Sequence, residues 1–297
     1  MRWRLAVALG AALTGGYEQA AKAQTARLDS AYTWRIDSPV FGGFSGIELS
    51  DDGAHFTAIS DRGHIIQGQI TRQNGRITAL AAGPLHPLLG PNGQVPSGKW
   101  RDAEGLAIAV DGTIYISFEG IHRLWKYTRP TSPATYLPRP DAFKSMQSNS
   151  SLEALAIDRQ GWLYTLPERS GQTTRPFPVF RFDGKKWTQP FDISRSQGFL
   201  PVGADFGPDG WLYLLERGFS GFGFQSRVRR FDVSTGQIRA EQTLLHTPIR
   251  LHDNLEGLAV WRDQQGKIRL TMISDDNFRA LQSTQIVEYI VAEPLAN

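Results

Sequence analysis

The chain has 297 residues, 40% of them apolar and 11% aromatic, ample for one large core or two ordinary ones. It has no cysteine, which excludes a disulfide framework and thiolate metal sites. The formal charge of +3 includes no basic run, so the pI of 9.2 gives little support for a nucleic-acid partner.

At the N-terminus, Arg2 and Arg4 precede an apolar run from Leu5 to Leu13, and the small-x-small site Ala21-Lys22-Ala23 precedes Gln24. This pattern predicts a signal peptide over residues 1–23 and an exported chain, periplasmic or secreted, with a single domain over 24–297. The segment carries Arg2, Arg4 and Lys22 against Glu18, so the formal charge falls to +1 on its removal. The apolar run is too short to cross a bilayer and no other stretch is longer, so no membrane span is expected.

Five similar segments follow: "SGIELSDDGAHFTAISDRG" from Ser45, "EGLAIAVDGTIYISFEG" from Glu104, "EALAIDRQGWLYTLPERS" from Glu153, "VGADFGPDGWLYLLERG" from Val202 and "EGLAVWRDQQGKIRLTMISDDN" from Glu256. Their turn glycines, Gly53, Gly112, Gly161, Gly210 and Gly266, stand 59, 49, 49 and 56 residues apart. Each segment reads as two strands around a tight turn, because glycine takes the positive φ such a turn needs. Third strands are expected at Arg123 to Tyr127, Val179 to Phe182, Arg227 to Phe231 and Thr284 to Tyr289, with outer strands in "RITALAA", "KWTQPF" and "QIRAEQTLL". No long stretch has the period of an amphipathic helix.

Four antiparallel strands recurring every ~50 residues predict an all-β fold, a β-propeller of five blades, with six as the alternative. "AYTWRID", from Ala31 to Asp37, has no first strand of its own, so it is expected to supply the outer strand of the last blade and close the ring.

Two acidic columns run through the repeat where turn chemistry does not ask for them. The first holds Glu104, Glu153 and Glu256; blades 1 and 4 have Ser45 and Val202 there and carry an acid three residues later, Glu48 and Asp205. The second ends the second strand with Asp61, Glu119, Glu168, Glu216 and Asp275, and Asp276 follows. Both columns are expected to meet at one mouth of the ring. The acids there far outnumber the three arginines the repeat brings with them, Arg62, Arg169 and Arg217, and crowded carboxylates need a counter-charge. Hard oxygen ligands without cysteine, and with only six scattered histidines, point to Ca²⁺.

The set "GGFSGIELS…ISDRG", "DAEGLAI…DGTIYISFEG", "NSSLEALAI…LPERS", "GADFGPDGWLYLLERG" and "DNLEGLAV…ISDDNF" resembles the phytase-like domain, the family also named for the esterase-like activity of phytase. The resemblance covers about Phe41 to Tyr289 and implies an exported bacterial propeller that hydrolyses a phosphoester or ester.

For phosphoester hydrolysis, the expected metal ligands are Asp61, Glu104, Glu153, Asp205, Glu256 and Asp275. Glu119, Glu168 and Glu216 are then the catalytic carboxylates, and Arg62, Arg169 and Arg217 bind a small anionic substrate. The chain is expected to act as a monomer. Two other readings stand beside this one: a lactonase-like ester hydrolase using nearly the same residues, and a binding or scaffolding propeller whose metal is structural. A serine nucleophile at Ser45 is disfavoured, because Ile47 occupies the second glycine position of a Gly-x-Ser-x-Gly elbow.

Overall fold

A computed structural model describes residues 25–144, 146, 152–196 and 198–292; the signal peptide expected over 1–23 lies outside them. Five antiparallel sheets stand in a ring, the arrangement of a five-bladed β-propeller. Their inner strands are Phe44–Leu49, Ala103–Ile108, Leu152–Ile157, Leu200–Phe206 and Asn254–Arg262. Among the described residues, helix is confined to Asp141–Lys144 and a 3₁₀ turn at Gly98–Trp100, and no helix is long and apolar enough to cross a membrane.

The last blade closes as expected but with a shifted strand. Its outer strand is Ala26–Thr33, paired antiparallel with Gln285–Val291, so only part of 31–37 takes part. Trp34 leaves the sheet at that point and is buried, stacked on Phe44 at 5.1 Å and edge-on to Phe56 at 5.3 Å. The seam is therefore held by main-chain hydrogen bonds and by one large aromatic set into the first blade. The first blade also has a third strand the sequence patterning missed, His64–Gln73, whose alternate residues are mostly polar.

Period-two patterning places apolar side chains on both faces of each sheet, and they meet between neighbouring blades. Ile47, Phe56 and Ile273 join blades 5 and 1; Ile59, Phe118 and Trp125 join 1 and 2; Leu124, Leu155 and Phe180 join 2 and 3. Leu166, Phe177 and Phe231 join 3 and 4, and Leu215, Leu258 and Met272 join 4 and 5.

The axis of the ring is closed at its waist. Gly46, Gly105, Gly203 and Gly257, with Ala154 in blade 3, occupy one level of the five inner strands. A Cβ on Gly203 would lie 2.4 Å from Glu256 O, on Gly105 2.7 Å from Glu153 O, and on Gly257 2.8 Å from Ile47 N. Only the missing side chains let the inner strands approach this closely. The void left between them is about 10 Å³, so two separate mouths open on opposite faces.

Candidate functional site

Each inner strand carries an irregularity at the same place. In blade 5 Leu255 pairs with Ser274 and Gly257 with Ile273, leaving Glu256 without a partner; the same slip leaves out Ser45, Glu153 and Val202, and in blade 2 it falls between Ala103 and Leu106. A bulge re-aims the extra residue's side chain. The first acidic column is thus the bulge column, lying just above the glycine waist, and Glu104, Glu153 and Glu256 are each about 8% exposed there.

The second strands bring the other acids up beside them. Asp61 is placed next to Asp102 and Asp275, and Glu153 next to Glu168, Glu256 and Glu119. Asp102, Glu104 and Glu119 come closest, with one oxygen from each lying within 4.8 Å of the others; no other acid or histidine group among the described residues does this. Burial, then the charges of Glu153, Glu256 and Asp102, hold Glu104 well above the usual carboxylate range, and burial with Glu168 and Glu256 does the same for Glu153. Burial lifts Glu256 to about 8 and Asp275 to about 6, and burial together with Asp275 and Asp102 lifts Asp61 to about 7. One oxygen of Asp61 is buried without a hydrogen bond.

Blade 4 contributes a cation. Its bulge residue is Val202, and Arg217 reaches over it to the acids of both neighbouring blades. It donates to Glu168 at 2.7 Å, to Asn254 Oδ1 at 3.1 Å and to Glu256. Burial works against this charge, but Glu256, Glu153 and Glu168 outweigh it and hold the guanidinium protonated. The mouth therefore has two halves. Arg217 neutralises the blade 3 to blade 5 side, while Asp61, Asp102, Glu104 and Glu119 face one another on the other side.

Three expected residues are not brought to this cluster. Asp205 and Glu48 lie below the waist, at the floor of an opposite funnel of about 1330 Å³ that is also lined by Tyr115, Trp162 and Arg181. Asp205 accepts the Val260 N–H of the next inner strand at 2.6 Å, and Glu48 has the corresponding backbone bond from Ile108. Both therefore tie neighbouring blades together. The reason is steric: the acid three residues past the bulge has crossed the glycine level. Glu216, fully buried, turns into the blade because its strand continues to Phe219, and it accepts from Arg227 at 2.8 Å and from Arg229 at 2.5 and 2.8 Å.

Of the other two arginines, Arg62 lies 3.2 Å over the Phe278 ring, and Arg169 is mostly exposed with a 3.4 Å contact to Glu168. Asp276 is engaged by the Gly43 and Phe278 amides at 3.0 Å, and His252 by Tyr289 at 2.6 Å. Asp102 and Asn254 were missed. Both stand two residues before a column glutamate, in "DAEGLAI" and "NLEGLAV", and Asn254 Nδ2 donates to Glu256 at 2.8 Å. That spacing was the available signal.

The donor set is all oxygen and crowded, and so it fits a hard divalent cation of the calcium kind. A family model described as phytase-like, esterase-like activity of phytase, matches residues 39–278. No curated protein matches the sequence. Among solved structures, hydrazine synthase of Kuenenia stuttgartiensis is 15% identical, with 88% of this chain and 67% of that one covered at a TM-score of 0.44. A gluconolactonase of Xanthomonas campestris is 18% identical over 83% and 72%, with a TM-score of 0.45. A calcium-binding regucalcin of Agrobacterium tumefaciens is 11% identical over 84% and 91%, with a TM-score of 0.46. Likenesses this distant do not carry an activity across.

Proposed function

The chain belongs to the phytase-like family, and on that footing we propose that it is an exported hydrolase of phosphoesters that uses a divalent cation, calcium first, at the acidic mouth. The observation that carries this reading is the convergence of Asp102, Glu104 and Glu119, with oxygens within 4.8 Å, beside a half-mouth whose acids Arg217 already neutralises. Asp102 and Glu104 share a hydrogen bond, and three fully charged carboxylates at that spacing are costly to maintain unless a cation is shared among them.

Asp102, Glu104 and Glu119 are the residues that hold the cation, with Asp61 at the edge of the same half. A bound calcium ion supplies charge neutralisation at phosphoryl oxygens and a lowered pKa for water. Burial, then the charges of Glu168 and Glu256, favour the protonated form of Glu153; this suits it to exchange a proton with the attacking water or the leaving group. Arg217 keeps Glu168 and Glu256 fixed, and the exposed Arg169 and Arg62 stand where an anionic substrate enters.

The test is hydrolysis of chromogenic phosphate esters and of lactones, in calcium and in EDTA, by the wild type and by Glu104→Gln. The expected result is phosphoesterase activity that EDTA abolishes and that falls about 100-fold or more in the variant, the scale of disturbing a metal ligand. Lactone turnover without phosphoester turnover transfers the same residues to the lactonase reading. Activity indifferent to both EDTA and Glu104→Gln removes the site.

A further inference from the structure

The acidic mouth opens on a face whose exposed residues have a different character from its recessed ones. In blade 4 the second strand runs Leu212–Phe219 and the third begins at Phe224, so the ladder continues past Arg217 and pairs Phe219 with Phe224. The second strands of blades 1 to 3 stop earlier, at Ser60, Phe118 and Pro167, each just before its column acid. At ~3.3 Å per residue, Phe219 stands about 10 Å beyond Glu216.

The hairpin tip carries two aromatics, with Phe219 65% and Phe222 83% exposed. The neighbouring loop adds Ile249 and Leu251, 44% and 46% exposed. The two loops form one projection. Arg250 N donates to Phe224 O at 2.8 Å, and a Cβ on Gly223 would lie 2.3 Å from Arg250 Cγ and 3.4 Å from Ile249 Cγ2. Val95, Trp100 and Leu281, exposed on other loops, lie on the same face of the ring, whereas Val110 is the exposed large apolar residue at a turn of the opposite face.

The exposed charges of this face are mostly cationic, with Asp37 and Asp141 as exposed acids on its loops. Arg62, Lys99, Arg101, Arg169, Arg250 and Arg279 are exposed around the mouth, while its acids are buried or half-buried. The tip itself has no acid in 217–231 or in 242–252. Protruding aromatics with cations behind them match the boundary between lipid acyl chains and anionic headgroups: apolar side chains enter the first few ångströms and each basic group nearby adds attraction.

We propose that this face docks on an anionic lipid surface through the Phe219 and Phe222 tip, which turns the acidic mouth toward the membrane. Docking stands on the exposed residues alone. Its consequence for substrate class, a phosphoester carried by a lipid, rests on the hydrolase reading above.

The experiment is co-sedimentation of the full exported chain, in EDTA, with phosphatidylcholine vesicles with and without phosphatidylglycerol. The wild type is expected to sediment with the anionic vesicles and less with the neutral ones. Phe219→Ser with Phe222→Ser is expected to weaken that partition at least tenfold with little change in melting temperature, since both side chains are mostly exposed and Phe219 touches only the Phe224 ring among the aromatics, and Arg250→Glu to weaken it further on anionic vesicles. Glu104→Gln binds like the wild type, which separates docking from the chemistry of the mouth. Wild-type protein remaining in the supernatant, or a double serine variant that still sediments fully, overturns the proposal.

Discussion

Replacing Arg217 by methionine tests the division of the mouth into the half that Arg217 neutralises and the half around Asp102, Glu104 and Glu119. The guanidinium bonds Glu168 at 2.7 Å, Asn254 at 3.1 Å and Glu256, and its side chain is 21% exposed. Removing one partner from a buried ion pair costs about 3–5 kcal/mol, and the partial exposure puts this site near the lower end. For a chain of this size each kcal/mol moves the melting temperature by about 2–4 °C, so a fall of about 6–12 °C is expected in EDTA. Calcium then has a second place to go, among Glu168, Glu256 and Asn254. Binding at 100 times its Kd returns about 2.7 kcal/mol per site, so the calcium-induced rise in melting temperature should roughly double relative to wild type. Differential scanning calorimetry and equilibrium dialysis read the two effects. A variant as stable as wild type in EDTA, with unchanged calcium stoichiometry, refutes the reasoning.

Three further outcomes follow from other parts of the molecule. Gly203→Ala places a Cβ 2.4 Å from Glu256 O at the waist, and the overpacking should cost about 1–3 kcal/mol in denaturant unfolding. Glu216→Gln should cost about 3–5 kcal/mol because it leaves Arg227 and Arg229 buried beside a neutral group, yet leave calcium binding at the mouth intact when measured by dialysis. Burial lifts Asp205 to about 7, above its unfolded value, so its protonated form stabilises the fold fully below about pH 4 and that contribution is lost as pH rises through 7. Asp205→Asn should match wild type at pH 4 and exceed it at pH 8 by on the order of 2–4 kcal/mol, since each pKa unit corresponds to about 1.4 kcal/mol.

The blade count was legible because Gly53, Gly112, Gly161, Gly210 and Gly266 sit in turns that need positive φ, and all five have it. The ring closure was legible in kind but misplaced by a few residues: Trp34 looks like part of a strand, yet its bulk is better buried against Phe44 than held in a ladder. His64–Gln73 escaped notice because "HIIQGQITRQ" lacks the aromatics that mark the other third strands. Within the site, Glu104, Glu153 and Glu256 were readable as a column, but the bulge that aims them is a property of strand pairing, and spacing alone does not reveal it. Asp205 and Glu48 were misplaced for the complementary reason: the glycine waist two residues before each decides which mouth they face. Arg217 and Glu216 are neighbours in sequence and face opposite ways, so the "ER" pair that suggested one site serves two.

The account depends most on a divalent cation seated between Asp102, Glu104 and Glu119, and a crystal structure determined at saturating calcium tests this directly. The predicted result is an ion at about 2.3–2.6 Å from oxygens of these three side chains, the range of calcium ligation. A mouth without an ion at saturating calcium, or an ion bound only at Glu48 and Asp205 in the opposite funnel, contradicts it.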